Sequence, residues 1–119
     1  MIVRKPYNFY MTDVRNLGNF LTTSYDVIHL SNVLDYVPAT EHKGIILPLL
    51  NHVHPGGRII AHNMKYNTSK RCYDNYFGDT AKEIASSLDN WQHIQKPIYS
   101  PAPGIGLLKD GTHILERVR

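Results

Sequence analysis

The chain has 119 residues and a net charge of +3; 42% of its residues are hydrophobic and 19% are charged. This length fits a single domain, residues 1–119, that buries a core without metals or disulfides, and the composition excludes a disordered chain. The one cysteine, Cys72, excludes an intrachain disulfide and favours a cytoplasmic location. No apolar run is long enough to span a membrane, and the mild positive charge does not indicate a nucleic-acid partner.

The first half of the chain predicts two strands and a helix. An aromatic run predicts a strand at Tyr7–Met11, and Asn16–Asn19 reads as a turn. Tyr25–Leu30 is a mostly apolar run, typical of a strand buried on both faces in a parallel sheet. Apolar residues at helical spacing between residues 40 and 53 then predict a helix capped by Thr40, with Pro48 as a kink or a first-turn residue.

The second half adds a helix and further strands. Residues 55–57, Pro-Gly-Gly, read as a tight turn before a strand at Arg58–His62. A weaker helical pattern covers Tyr73–Leu88, and Trp91–Tyr99 reads as a strand. A turn at Lys109–Gly111 and the run Thr112–Val118 predict a closing hairpin. Alternating strands and helices predict an α/β fold, mostly parallel, with an antiparallel hairpin at its C-terminal edge.

Three linked segments carry a resemblance to a known family. They are DVRNL from Asp13, YDVIHLSNVLDYV from Tyr25, and LPLLNHVHPGGRIIAH from Leu47. In this order and spacing they resemble the C-terminal half of class I, Rossmann-like S-adenosylmethionine-dependent methyltransferases. The resemblance covers residues 7 to 119. It implies a partial Rossmann-like sheet and an S-adenosylmethionine cofactor.

The sequence also departs from that family. The family's first strand unit carries a Gly-rich loop for the cofactor's amino-acid end, and its second strand ends in an acid for the ribose. Neither motif occurs in this sequence, and the one Gly-x-Gly, Gly104 to Gly106, lies in a Pro-rich stretch that reads as a loop. We therefore expect a weak or incomplete cofactor site. The absent strands would leave sheet edges exposed, which predicts a homo-oligomer, most simply a dimer, or a complementary N-terminal half as partner.

The resemblance assigns cofactor roles to four residues. Asp13 would accept a hydrogen bond from the adenine amino group, and the Val14 backbone N–H would reach the ring. Ser31 and Asn32 lie at the carboxyl end of the central strand, beside the crevice in which open α/β sheets bind ligands. Each assignment has a structural alternative, because Asp is a common turn cap and Ser and Asn are common helix caps.

Three further residues are candidates for the acceptor side. His62 and Asn63 end the Arg58–His62 strand and could act as a base or position a substrate, although a polar group at a strand end can also be purely structural. Asp35 lies one helical turn beyond Ser31 and could face the same crevice. By contrast, His29 is expected to be a buried structural histidine, and Tyr36 is expected to pack in the core.

Several functions remain open at this point. Methyl transfer to a small-molecule or lipid acceptor is the first expectation, but the sequence is also similar to the 3-amino-3-carboxypropyl transferases that build betaine lipids. A degenerate, non-catalytic binding or oligomerisation module is the alternative. A His-hydrophobic-His pattern, His52 to His54, is also found in metal-dependent DNA nickases, with Tyr73 or Tyr76 as nucleophile. Because Pro-Gly-Gly follows at once, the pair should end a helix, and we expect no metal site.

Overall fold

The computed structural model describes residues 12–31, 33–62, 77–99 and 107–119. Within these ranges the elements, in chain order, are a 3-10 helix Val14–Asn16, α1 Leu17–Phe20, β1 Tyr25–Ser31, a 3-10 helix Leu34–Tyr36, α2 Ala39–Leu50, β2 Val53–His62, α3 Gly78–Ser87, β3 Trp91–Tyr99 and β4 Leu107–Arg117. The predicted strand Tyr7–Met11, the tyrosines Tyr73 and Tyr76, Cys72 and the Gly104 to Gly106 loop lie outside the described residues.

The four described strands form one sheet in the order β1-β2-β4-β3. β1 pairs parallel with β2, in the register Ile28 with Ile59 and Leu30 with Ala61. β4 pairs antiparallel with β2 on one side and with β3 on the other. The predicted α/β fold is therefore confirmed, with the parallel pairing at β1 and β2 joined by the helix-containing crossover that such pairs need.

The closing hairpin forms between different segments from those predicted. β4 runs without interruption through Lys109–Gly111, so the predicted turn there is wrong. The hairpin is instead made by β3 and β4, and β4 lies inside the sheet while β3 forms its edge. Lys109–Gly111 lie in an irregular stretch of the β3–β4 pairing, between the partners Lys96–Thr112 and Ile98–Leu108, so the local Lys-Asp-Gly signal corresponds to a bulge within β4 rather than to a chain reversal.

The predicted Pro-Gly-Gly turn is a bulge inside β2 rather than a turn before it. Tyr25 pairs with Val53 and Val27 pairs with Arg58, so the β2 side holds three extra residues between these partners. Gly56 adopts a positive φ of 83° within this bulge, a conformation that costs glycine little. The bulge lets β2 begin at Val53, directly after α2, and still align Arg58–His62 with β1.

Replacing Gly57 in this bulge by alanine is expected to lower the free energy of unfolding by about 1–3 kcal/mol. The added Cβ would lie 2.7 Å from the Asp26 carbonyl oxygen and 2.9 Å from that of His54, both backbone atoms that cannot easily move. Gly44→Ala is the matched control, because Gly44 lies in α2 with nothing within 4 Å of an added Cβ. Urea unfolding should show that variant to be more stable by about 0.5–1 kcal/mol. Equal effects of both substitutions would contradict this packing.

The helices and one face of the sheet bury a single core. Ile28 and Leu30 of β1, and Ile59 and Ala61 of β2, lie beside Leu115 of β4. The helical members of the same cluster are Ile45, Ile46, Leu49 and Leu50 from α2, and Ala81 and Ile84 from α3. Each fully buried Leu or Ile contributes about 1.5–3 kcal/mol of hydrophobic stabilisation. The helical spacing in the sequence identified these faces correctly.

At β1 the opposite face of the sheet is open, so the expectation of a strand buried on both faces is wrong. Val27 is 49% exposed and Tyr25 is 38% exposed, while Ile28 and Leu30 are buried. His29 is exposed as well. An apolar run cannot by itself reveal whether both of its faces have neighbours, because that depends on which elements pack there.

Two helix starts also differ from the predictions. The predicted turn at Asn16–Asn19 is instead the end of a 3-10 helix followed by the one-turn helix α1. Thr40 lies inside α2 rather than capping it, since the helix begins at Ala39 after Pro38. A fixed proline φ suits a helix start, which explains the earlier beginning. No helix in the described ranges is long and apolar enough to cross a membrane.

Candidate cofactor and acceptor site

The carboxyl ends of the parallel strands bring two of the predicted site residues together. Ser31, the last residue of β1, is the register partner of His62, the last residue of β2. The two backbone positions therefore lie side by side at the carboxyl end of the sheet, where open α/β sheets bind ligands. Asn32 and Asn63, which follow them in the sequence, lie outside the described residues.

His62 is held by two neighbours that sequence reasoning missed. Its Nδ1 lies 3.1 Å from the hydroxyl oxygen of Thr112 on β4, and its ring meets the His29 ring edge to face at a centroid distance of 4.9 Å. The Thr112 hydroxyl can donate to Nδ1 or accept from it, so the contact fixes the orientation of the ring. His29 could have been found from its spacing two residues before Ser31, on the same strand face. Thr112 could not, because its position depends on the register of β2 with β4.

The electrostatics of this cluster favour a neutral imidazole at His62. Burial lowers the pKa of His62 below the ordinary 6.5, and the charge of His29 lowers it further. In the tautomer whose Nδ1–H donates to the Thr112 hydroxyl, the neutral imidazole keeps a lone pair on Nε2 that can accept a proton. The arrangement can therefore serve as a general base for an acceptor hydroxyl or amine.

The segment after β1 is fixed in place by a buried histidine. It contains the 3-10 helix Leu34–Tyr36, which carries the candidate Asp35. His42 of α2 is fully buried, and its Nε2–H donates to the carbonyl oxygens of Val37 at 2.7 Å and Leu34 at 3.1 Å. Burial lowers the pKa of His42, although the two carbonyl bonds partly oppose the shift. The expected core role of Tyr36 is wrong, since its side chain is 84% exposed.

Asp13 acts locally as a cap, the structural alternative considered for it. It precedes the 3-10 helix Val14–Asn16, and its Oδ1 accepts a hydrogen bond from the Arg15 N–H at 2.9 Å. The Arg15 guanidinium approaches the other carboxylate oxygen at 3.7 Å and also contacts Glu41 at 3.4 Å. The Asp13 side chain is still 51% exposed, so its carboxylate remains accessible to a ligand. Val14 is partly buried against the core.

His52 of the His52 to His54 pattern is held against the backbone. Its Nδ1 lies 2.7 Å from the Thr23 carbonyl oxygen, and its Nε2 lies 3.0 Å from that of Gly18. Carbonyl oxygens only accept hydrogen bonds, so the ring donates to at least one of them, and the two contacts fix its orientation. Among the described residues, no three His, Cys, Asp or Glu side chains are grouped to hold a metal ion.

A cavity of about 430 Å³ lies at the opposite end of the sheet. Its lining comprises Leu47, Leu50, Asn51, Leu88, Asn90, Trp91 and Arg117. Trp91 begins β3 and Arg117 ends β4, whereas His62 pairs with Thr112 near the other end of the same sheet. The cavity is therefore separate from the strand-end site.

We expect the free energy of unfolding to fall as the pH drops below about 6.5, because the pKa values of His42, His62 and His93 are all lowered from the ordinary value of 6.5. A histidine with a lowered folded-state pKa binds protons more readily when unfolded. Its stabilising contribution is thus complete above the unfolded pKa and is lost as the pH falls towards the folded one.

Urea unfolding at pH 7.5 and 5.0 measures this pH dependence. His93 contacts the buried His113, Nε2 to Nδ1 at 3.1 Å, and burial followed by the charge of Lys82 lowers its pKa. The variant H93N should therefore lose part of the pH dependence. The variant H54N alters an exposed histidine and should keep all of it. A urea midpoint that is higher at pH 5.0 than at pH 7.5 would contradict the expectation.

Comparisons with known proteins show which solved structures share the fold of this chain. No protein-family model matches the sequence, and no curated protein matches it. Several solved structures do match this chain. The O-methyltransferase from Bacillus cereus in complex with SAH is 15% identical with a TM-score of 0.55, over 87% of this chain and 45% of that one. The N-methyltransferase NodS from Bradyrhizobium japonicum WM9 is 14% identical with a TM-score of 0.59, over 91% and 58%.

A third structure agrees with these two. An rRNA methylase from Streptococcus thermophilus is 15% identical with a TM-score of 0.51, over 89% of this chain and 54% of that one. The chain thus spans about half the length of the solved structures it resembles. At such low identity the likeness concerns the fold: the chain has a partial, Rossmann-like methyltransferase fold.

Proposed function

We propose that this chain is part of an S-adenosylmethionine-dependent methyltransferase whose cofactor site is completed by a second polypeptide. The observation that carries the proposal is the register of Ser31 with His62: both positions were predicted from the strand-end argument, and they are partners at the carboxyl ends of parallel strands. Ligands of open α/β sheets bind at this end. The methyltransferase fold of the matched structures supports the same function.

In this proposal the chain holds the adenine side of the cofactor. Asp13 accepts a hydrogen bond from the adenine amino group through its half-exposed carboxylate, and the Val14 N–H reaches the ring. Ser31, together with Asn32 as predicted from the sequence, is assigned to the sulfur side. The cap bond from Arg15 N–H to Asp13 uses one carboxylate oxygen and orients the group without consuming all of its acceptor sites.

The acceptor side is assigned to His62, with Asn63 and Asp35 as positioning candidates. The bound sulfonium supplies an electrophilic methyl group. His62 would take the proton of the acceptor hydroxyl or amine, and S-adenosylmethionine, when bound, would supply the methyl group and leave as a neutral thioether. Transfer of the aminocarboxypropyl group would use the same donor and the same base. The orientation of the cofactor would decide which of the two groups is transferred. The matched structures, an O-methyltransferase and an N-methyltransferase, favour methyl transfer over aminocarboxypropyl transfer.

The test is a comparison of three ligands by amide chemical-shift mapping. Because the chain supplies the adenine side and lacks the groups for the amino-acid end, adenosine at millimolar concentration should shift the Val14 and Ser31 amide signals about as much as S-adenosylhomocysteine does. Methionine should leave both signals unchanged. Val118, whose N–H bonds to the Asn90 carbonyl at the far end of the sheet, provides an internal control.

A non-catalytic binding module is the second candidate. It is favoured by the capping role of Asp13, since a turn cap needs no cofactor to explain it. In that case neither adenosine nor S-adenosylhomocysteine would shift the Val14 and Ser31 signals, and the methyltransferase proposal would be wrong.

A further inference from the structure

Arg117 extends the buried face of β4 to the cavity at the end of the sheet away from His62. Leu115 is fully buried, and alternate residues of a strand share one face, so Arg117 lies on the core face of β4. Its register partner on β3 is Trp91, which is 6% exposed. Directly paired residues of antiparallel strands have neighbouring side chains. A cation and an indole therefore stand side by side where the hydrophobic core meets the cavity.

The guanidinium of Arg117 is fixed in place by backbone oxygens. Its Nη1–H donates to the Val53 carbonyl oxygen at 2.6 Å, and its Nε–H donates to the Arg119 backbone oxygen at 2.9 Å. Among the described residues, Nη2 makes no hydrogen bond and no Asp or Glu side chain forms an ion pair with Arg117. A half-buried guanidinium held in this way presents oriented N–H donors, the geometry that suits a carboxylate.

The rest of the cavity lining combines apolar and amide groups. Leu47 of α2 lines the cavity together with Leu88, and its side chain is 39% exposed. Asn51 and Asn90 add their side-chain amides to the same lining. The volume of about 430 Å³ falls within the range of roughly 300–1,000 Å³ that is typical of small-molecule sites. The lining therefore suits a ligand that has an apolar body and an anionic group.

We propose that this cavity binds a small aromatic carboxylate, with the carboxylate on Arg117 and the ring against Leu47 and Trp91. Two of the cavity walls belong to β3 and β4, which lie on the other side of β2 from β1, and the cavity is at the opposite end of the sheet from Ser31 and His62. The ligand needs no contact with the cofactor site, so the proposal does not depend on the proposed function.

Chemical-shift mapping with benzoate tests the site. Trp91 is the one tryptophan of the chain, so its indole N–H gives a signal that is identified without further assignment. Benzoate should shift this signal in a saturable way. Benzamide has the same shape without the charge, and acetate has the charge without the ring, so each should bind at least about fivefold more weakly. Benzamide that binds as tightly as benzoate would overturn the proposal, and so would benzoate that gives no saturable shift.

Two charge-removing variants test the role of Arg117. R117Q should weaken benzoate binding by about tenfold or more, because the charge-assisted bonds are lost. K96Q removes the same charge from β3, but Lys96 pairs with Thr112 near the other end of the sheet, so this control should bind benzoate like the wild type. Unchanged binding by R117Q, or equal losses in both variants, would overturn the proposal. Should R117Q fail to fold because its bond to Val53 is lost, the comparison of benzoate with benzamide on the wild type still decides.

Discussion

Calorimetry of the purified 119-residue chain is expected to show binding of S-adenosylmethionine that is millimolar or weaker. The sequence has no Gly-rich strand–helix turn to supply backbone donors for the cofactor carboxylate, and no strand-end acid for the ribose hydroxyls. Each missing charge-assisted hydrogen bond costs about 1.5–3 kcal/mol. Two or three such losses amount to about 3–9 kcal/mol, or about two to six decades of affinity. A micromolar site would therefore weaken to about 0.1 mM at best, and to millimolar or weaker once the loss exceeds about 4 kcal/mol.

Two aspartate variants make this expectation specific. Asp13→Ala should weaken the residual binding further, by about tenfold, because it removes the acceptor for the adenine amino group. Asp89→Ala changes another exposed aspartate, in the turn between α3 and β3, and should have no effect. Micromolar binding that Asp13→Ala abolishes would contradict the expectation. It would mean that the cofactor site is already complete, with its missing donors supplied by another copy of the chain.

The variant His42→Ala is expected to lower the free energy of unfolding by about 2–4 kcal/mol. His42 is 0% exposed, and its Nε2–H holds the Leu34 and Val37 carbonyl oxygens at 3.1 and 2.7 Å. The substitution leaves two carbonyl groups without this donor and opens a cavity beside Phe77, whose ring lies 5.7 Å from the imidazole. Urea unfolding at pH 7.5, where His42 is neutral, measures the effect.

His54→Ala is the control, since His54 is exposed and its loss should change stability by less than about 0.5 kcal/mol. The His42 variant should also move the amide signals of Leu34 and Val37, because the 3-10 helix that carries Asp35 loses its attachment to α2. A cost below about 1 kcal/mol, with those signals unmoved, would show that the imidazole does not hold this segment.

Periodicity predicted the main elements because their burial follows local patterns. The residues Ala81 and Ile84 were placed on one face of a helix, and both are buried there. The apolar run from Tyr25 and the strand from Arg58 were predicted to be parallel neighbours, and they are. The predicted turn at Lys109–Gly111 was wrong because β4 pairs with β3 both before and after these residues, so they form an irregular stretch within the strand instead of reversing the chain.

The sequence alone determined the α/β class, the parallel β1–β2 pair and the likeness to half of a methyltransferase, because each depends on apolar spacing and short motifs within a contiguous stretch. The tertiary structure decided the rest. It put Thr112 and His29 around His62, brought both ring nitrogens of His52 close to backbone carbonyl oxygens, and left the Val27 side chain half exposed. These features depend on strand register and on which surfaces find a neighbour. Both are settled by contacts between residues far apart in the chain, which no local pattern encodes.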